Sequence, residues 1–453
     1  EWLRERVGEE AVPPTALLAP EAEPSRRAVL AVAGGVLALG VAAFGATRYL
    51  LGREQDPEPA TATPRTSTSP AALPAHVIWQ SQVPHGRLLN APIALAGNLL
   101  FVLTSGSGIH VLDAGSGEPL WRAELRPAAD SAAFRPLVRE GVAYLQDSSA
   151  ITAYDAASGR IRWTRSLQSG VVHAWPVSVR GHIVTCSEKE VVAYDPATGE
   201  VRWTWSPSSR VDRPQPWPVA FDGAVLVETD RWMYALDGDD GRVRWKHDLG
   251  IHLPQTAPVV ADGTAYLARQ DGLRAWHAGT GKLRWRVPTP DRKTALTHGP
   301  VVADRTVYLA GPDALLYAFE AGTGKQRWKV RLAGDEEQRG RIESAGLAPV
   351  TAIGLVYVND CNESLLALDG GTGKIRWQQP IPGTPPGVRP VVTDAAIHVT
   401  TREGVRSFSL DSGRILRTVP YPFHSLLSAP ELIAGKDALY LREGASVAAL
   451  RLT

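Results

Sequence analysis

An eleven-residue motif recurs eight times in this chain of 453 residues. It reads Ala-x-Asp-x-x-Thr/Ser-Gly-x-x-x-Trp and is clearest in Ala153–Trp163, Ala193–Trp203, Ala235–Trp245 and Ala367–Trp377. Looser copies end at Trp121, Trp285 and Trp328, and another, Ser407–Arg417, carries Arg417 where tryptophan belongs. A period of about 40–45 residues marks an array of small sheets that bury their faces only against one another. The expectation is therefore an all-β chain, a β-propeller of four-stranded antiparallel blades, rather than a compact enzyme domain.

Each unit opens on a proline, as in Trp175-Pro176, Trp217-Pro218 and Arg389-Pro390, followed by a short apolar run and a turn. The third strand carries Ala-x-Asp and the fourth ends at the tryptophan. Between them lies a hairpin. Asp113, Asp155, Asp195, Asp237 and Asp369 are expected to accept turn amides, with Glu320 in the same place. Gly117, Gly159, Gly199, Gly241, Gly281, Gly324, Gly373 and Gly413 are expected to supply the positive φ of a bulged hairpin. Strand alternation predicts that Ile161 shares a face with Trp163, Leu283 with Trp285 and Ile375 with Trp377. Trp79, Trp121, Trp163, Trp203, Trp245, Trp285, Trp328 and Trp377 then act as wedges between blades.

The last unit, residues 429–453, has only three strands, and Val77-Ile78-Trp79 reads as an isolated fourth. Pairing them closes the ring and removes its open edges. This gives nine repeat units, with eight blades as the alternative.

Four segments precede or form the array. Residues 1–27 read as a cytoplasmic juxtamembrane tail. Residues 28–51 read as a transmembrane helix, because 28–47 carry no charge and twenty such residues span a bilayer core. Ser25-Arg26-Arg27 also loosely matches a twin-arginine export signal, and either reading puts the rest outside the cytoplasm. Residues 52–76, rich in Pro, Thr and Ser, read as an extended stalk. Residues 77–453 are the propeller. The chain begins at Glu1 and its one methionine is Met233, so further coding sequence is expected upstream. A net charge of +1 gives no bulk attraction to nucleic acid. Cys186 and Cys361 lie four repeats apart, too far round a ring for a disulfide.

The repeated Ala-x-Asp-x-x-Thr-Gly-x-x-x-Trp resembles the tryptophan-docking repeat of the pyrroloquinoline quinone (PQQ) family of propellers. That resemblance implies one of three branches: quinone-dependent dehydrogenases, a non-catalytic outer-membrane assembly lipoprotein, or actinobacterial membrane proteins, often receptor-type serine/threonine kinases, with an external propeller. The order of tail, span, stalk and propeller is most similar to the third. The dehydrogenases hold Ca²⁺ with carboxylates and amides, and many stack the quinone beneath a disulfide of adjacent cysteines. This chain has no adjacent cysteine pair, and His277 and Ser409 replace the motif acid. Neither PQQ nor Ca²⁺ is expected, nor any other metal, and no catalytic residue is named. Kinase signatures are missing too, so a kinase domain would lie upstream.

Ligand-binding candidates lie in the blade-to-blade loops: Trp175, Arg213, Trp217, His252, His298, Arg339, Arg341 and Arg389. The longest connection, 332–347, departs furthest from the repeat. The expected function is a single-pass, membrane-anchored, extracytoplasmic propeller that senses a ligand or binds a protein. An envelope scaffold and a PQQ-dependent dehydrogenase are the alternatives.

Overall fold

The computed structural model describes residues 74–452 apart from 84–92, 105–107, 125–134, 168–174, 209–213, 216, 251–255, 270, 289–298, 312, 333–348, 361–362, 385–387, 421–429 and 445. The expected tail, span and nearly all of the stalk lie outside these residues. Among the described residues no helix is long and apolar enough to cross a membrane.

Nine four-stranded antiparallel sheets form the blades. Blades 1 to 8 each use four consecutive strands and cover 93–123, 137–166, 177–205, 219–248, 259–287, 301–331, 350–380 and 391–420. Blade 9 takes its three inner strands from Glu431–Ala434, Ala438–Glu443 and Ser446–Arg451, and its outermost strand from Val77–Gln82. Val77 pairs with Leu450 and Trp79 with Ala449. The count is nine, and the two ends of the array share one sheet, as the isolated Val77-Ile78-Trp79 suggested.

The motif hairpin explains its own residues. Asp195 Oδ1 accepts the amides of Ala197 at 2.9 Å and Thr198 at 3.0 Å, and Gly199 N–H returns to the Asp195 carbonyl at 2.9 Å. Gly199 has φ +68°, a region that favours glycine. Where the acid is replaced, the turn survives: His277 Nδ1 accepts the Thr280 amide at 3.2 Å. The motif alanine is small because tryptophan lies opposite it, Ala193 against Trp203 and Ala367 against Trp377.

Each tryptophan clasps the next blade. Trp163 Nε1 donates to the Pro196 carbonyl at 3.0 Å and Trp203 to Gly238 at 3.0 Å, and the remaining six make the same bond at 2.8–3.0 Å. The indole lies flat on the next hairpin's glycine. A Cβ added to Gly199 would fall 2.6 Å from the Trp163 ring. Glycine is thus required twice over, by backbone conformation and by the ring above it.

One expectation is corrected. Ile161 is 57 % exposed while Trp163 is 6 % exposed, so they do not share a face. A β-bulge is the cause: Tyr154 pairs with Ile161 and Ala153 with Trp163, which leaves Arg162 unopposed. The same shift exposes Leu283 and Ile375. The bulged residue has its own task. Arg162, Arg202 and Arg244 reach back to the motif carboxylates of Asp155, Asp195 and Asp237 at 2.8, 2.6 and 2.9 Å.

Arg417 marks the seam. Blade 9 is closed by two separate chain segments, so it has no motif hairpin and no glycine for an indole to cover. Arg417 instead donates to the Arg451 carbonyl, and His76 meets the Pro420 carbonyl at 3.2 Å. Arg417→Trp should therefore lower stability by about 1 kcal/mol, the worth of the lost hydrogen bond, rather than add a clasp. A rise in unfolding midpoint for that variant would contradict the account.

Candidate functional site

The ring has two unlike faces. Hairpins between first and second strands meet the motif hairpins on one face, as Gly238 N–H to the Gly223 carbonyl and Gly370 N–H to Gly354 show. On the other face the hairpins between second and third strands meet the blade-to-blade connections: Leu249 N–H bonds to Arg231 and Leu332 N–H to Ala314. The first is filled by turn architecture. The second, the loop face, carries the residues that do not repeat.

Strand-opening prolines set the inner rim of the loop face. The residue before a proline is confined to extended backbone. Two residues before the first innermost-strand residue stand Arg135 in blade 2, Trp175 in blade 3, Trp217 in blade 4 and Arg389 in blade 8. Ala257 and Gly299 hold the same place in blades 5 and 6. Arginine or tryptophan thus holds this place in blades 2, 3, 4 and 8, and a small residue in blades 5 and 6. The Arg135 guanidinium sits over the Trp175 ring, 4.7 Å from its centroid. Arg389 is solvent-exposed yet hemmed in by the rim. Burial, then the Arg135 charge, pulls its pKa below the usual arginine range. Among the described residues neither guanidinium meets a carboxylate.

The sequence candidates divide accordingly. Trp175, Trp217 and Arg389 occupy equivalent places on this rim. Arg213, His252, His298, Arg339 and Arg341 lie outside the described residues, as does most of the 332–347 connection. Arg135 was not among the candidates, although Arg135-Pro136 repeats the signal of Arg389-Pro390.

Beneath the loop face, blades 4 and 5 are tied by charge. Arg269 Nη1 lies 3.1 Å from Glu228 Oε1, with both side chains about 1 % exposed. Burial pushes the Glu228 carboxyl up, against the pull of Arg269 and Arg274. Asp271 Oδ2 receives Arg286 at 2.8 Å as well as Arg274. Among the described residues no group of three His, Cys, Asp or Glu is arranged to hold a metal ion. Cys186 is a buried free thiol, and Cys361 lies outside the described residues.

Titration should report on two parts of this framework. Asp195 is held down to about 2 by Arg202 and the Thr198 amide, and Arg162 and Ser158 hold Asp155 lower still. Depressed carboxylates stabilise above their unfolded pKa and lose that contribution as pH falls through the folded one, here from about 4 downward. Solvent screening keeps each contribution small. Glu431 behaves oppositely. Burial raises it from 4.5 to about 7, although its Oε2 accepts the Ile93 amide of blade 1 at 2.7 Å. The folded state then holds a proton that the unfolded chain has released, so stability falls as pH climbs across that window. Glu431→Gln should therefore make the part of the decline in thermal stability between about pH 5 and 7 that comes from this group disappear. An unchanged slope would refute the assignment.

The fold and its faces define a class: a closed nine-bladed propeller with one architectural and one variable face. The chain belongs to the family described as outer membrane protein assembly factor BamB, whose model matches residues 74–170, 147–294 and 270–449. No curated protein matches it. Among solved structures, BamB from Moraxella catarrhalis is 17 % identical over 83 % of this chain and 100 % of that one, with a TM-score of 0.52. A computationally designed protein is 13 % identical over 75 % of this chain and 98 % of its own, also at 0.52. Quinohemoprotein alcohol dehydrogenase from Comamonas testosteroni is 14 % identical over 83 % of this chain and 76 % of that one, at 0.49. At these identities the likeness is one of fold alone.

Proposed function

We propose that this chain is a protein-binding propeller of the cell envelope, tethered to the membrane by residues 28–51, that holds another protein against its loop face. The observation that carries this reading is the placing of Arg135, Trp175, Trp217 and Arg389 at equivalent positions of the rim. Arginine and tryptophan are enriched where protein interfaces concentrate their binding energy. They stand where the repeat leaves residue choice free, whereas the motif residues are consumed by the hairpins. The family's description as an assembly factor supports a scaffold role. If a signalling module is encoded upstream, the same contact would make the propeller its sensor. The reading involves no PQQ and no Ca²⁺, and dye-linked alcohol or sugar oxidation on adding both would overturn it.

Affinity isolation of the full chain from its native membrane provides the test. A stable partner should co-purify with the unaltered chain, be lost from the double variant Arg135→Glu, Arg389→Glu, and persist with Arg160→Glu on the opposite face. Equal recovery from all three would contradict the proposal.

A further inference from the structure

The rim also constrains the chemistry of what it holds. Two guanidiniums share one mouth, and among the described residues no carboxylate neutralises either. Like charges on one rim repel, and the repulsion is relieved when an anion pairs with both. The arrangement is set by the backbone, because Arg135 and Arg389 each precede a strand-opening proline. Trp175 further fixes the Arg135 head group from below. A single small ion would need only the two arginines. The rim, however, runs on from Arg135 through Trp175 and Trp217 into blades 3 and 4, and the same place in blades 5 and 6 carries only Ala257 and Gly299.

We propose that the loop-face mouth binds an acidic segment of a protein chain, its carboxylates on Arg135 and Arg389 and its flanking side chains on Trp175 and Trp217. This rests on the protein-binding reading above and adds the chemistry of the bound segment. Guanidinium and carboxylate pair in a bidentate fork that lysine cannot reproduce. The interaction should therefore depend on each arginine separately and weaken with salt.

The test uses the full chain in detergent and a fluorescein-labelled decapeptide of aspartate, glutamate and one central leucine, followed by anisotropy at low ionic strength. Binding should weaken by about tenfold in Arg135→Gln and in Arg389→Gln, and remain unchanged in Arg160→Gln on the opposite face. Trp217→Ala should weaken it as well, and a matched lysine decapeptide should not bind. Coinciding thermal unfolding curves for the variants keep the comparison free of misfolding. Binding that survives both arginine substitutions, or no binding at all, overturns the proposal. So does displacement of the peptide by inorganic phosphate at the same concentration as by unlabelled peptide, which would make the mouth a small-anion site. In each of those cases a partner still lost from the double arginine variant in affinity isolation would leave the protein-binding reading standing.

Discussion

Trp203→Ala is expected to lower the free energy of unfolding by about 3–5 kcal/mol, the range for truncating a buried large aromatic side chain. Trp203 is 6 % exposed and packs with Val184, Val225, Tyr234 and Leu236, so its removal opens a cavity between blades 3 and 4. It also removes the 3.0 Å bond to the Gly238 carbonyl and the cover over Gly241. Trp203→Phe separates these effects. Phenylalanine retains much of the buried ring but lacks the indole N–H, so loss of the bond alone should cost about 1 kcal/mol. Equilibrium urea unfolding measures both. A loss below about 1 kcal/mol for the alanine variant would mean that the clasp adds little beyond the surrounding sheet packing.

Breaking the Glu228–Arg269 pair should be comparably severe. Removing one member of a buried ion pair leaves an uncompensated charge and costs about 3–5 kcal/mol. Arg269→Met should approach that figure, because Glu228 would remain buried beside an apolar chain. Glu228→Leu should also be costly, with the Asp230 carbonyl, an Arg269 partner at 3.3 Å, giving the stranded cation partial relief. The double variant should be far more stable than the sum of the two losses predicts, since it strands neither charge. Denaturant unfolding of all four proteins closes the cycle, and additive losses would show that the pair is not coupled.

How much of this was legible in the sequence depends on what repeats. The blade plan, the motif hairpin and the tryptophan clasp recur with fixed spacing, so each copy corroborates the others. The bulge was not legible. Arg160-Ile161-Arg162-Trp163 alternates perfectly, and only pairing with Ala153 and Tyr154 reveals that Arg162 is skipped. A second clasp was overlooked although its signal was present. Tyr308, Tyr357 and Tyr440, central in their second strands, donate to the same carbonyls as the neighbouring tryptophans, at 3.1, 2.9 and 3.1 Å. The Glu228–Arg269 pair could not be read, because it joins the ends of two second strands, where most other copies carry uncharged residues. The rim was half legible: Trp175, Trp217 and Arg389 stood out as residues, whereas Arg135 becomes informative only once pre-proline positions are seen to share one mouth.

The motif is therefore architecture, and the proposed function lies on the face where the motif is absent. Site-specific photo-crosslinking in the native membrane tests that division most directly. A photoreactive phenylalanine at Trp217 should capture a partner protein, and the same probe at Asp262, in a first-to-second-strand hairpin of the opposite face, should capture none. Equal capture from both positions, or capture from Asp262 alone, would contradict the central claim.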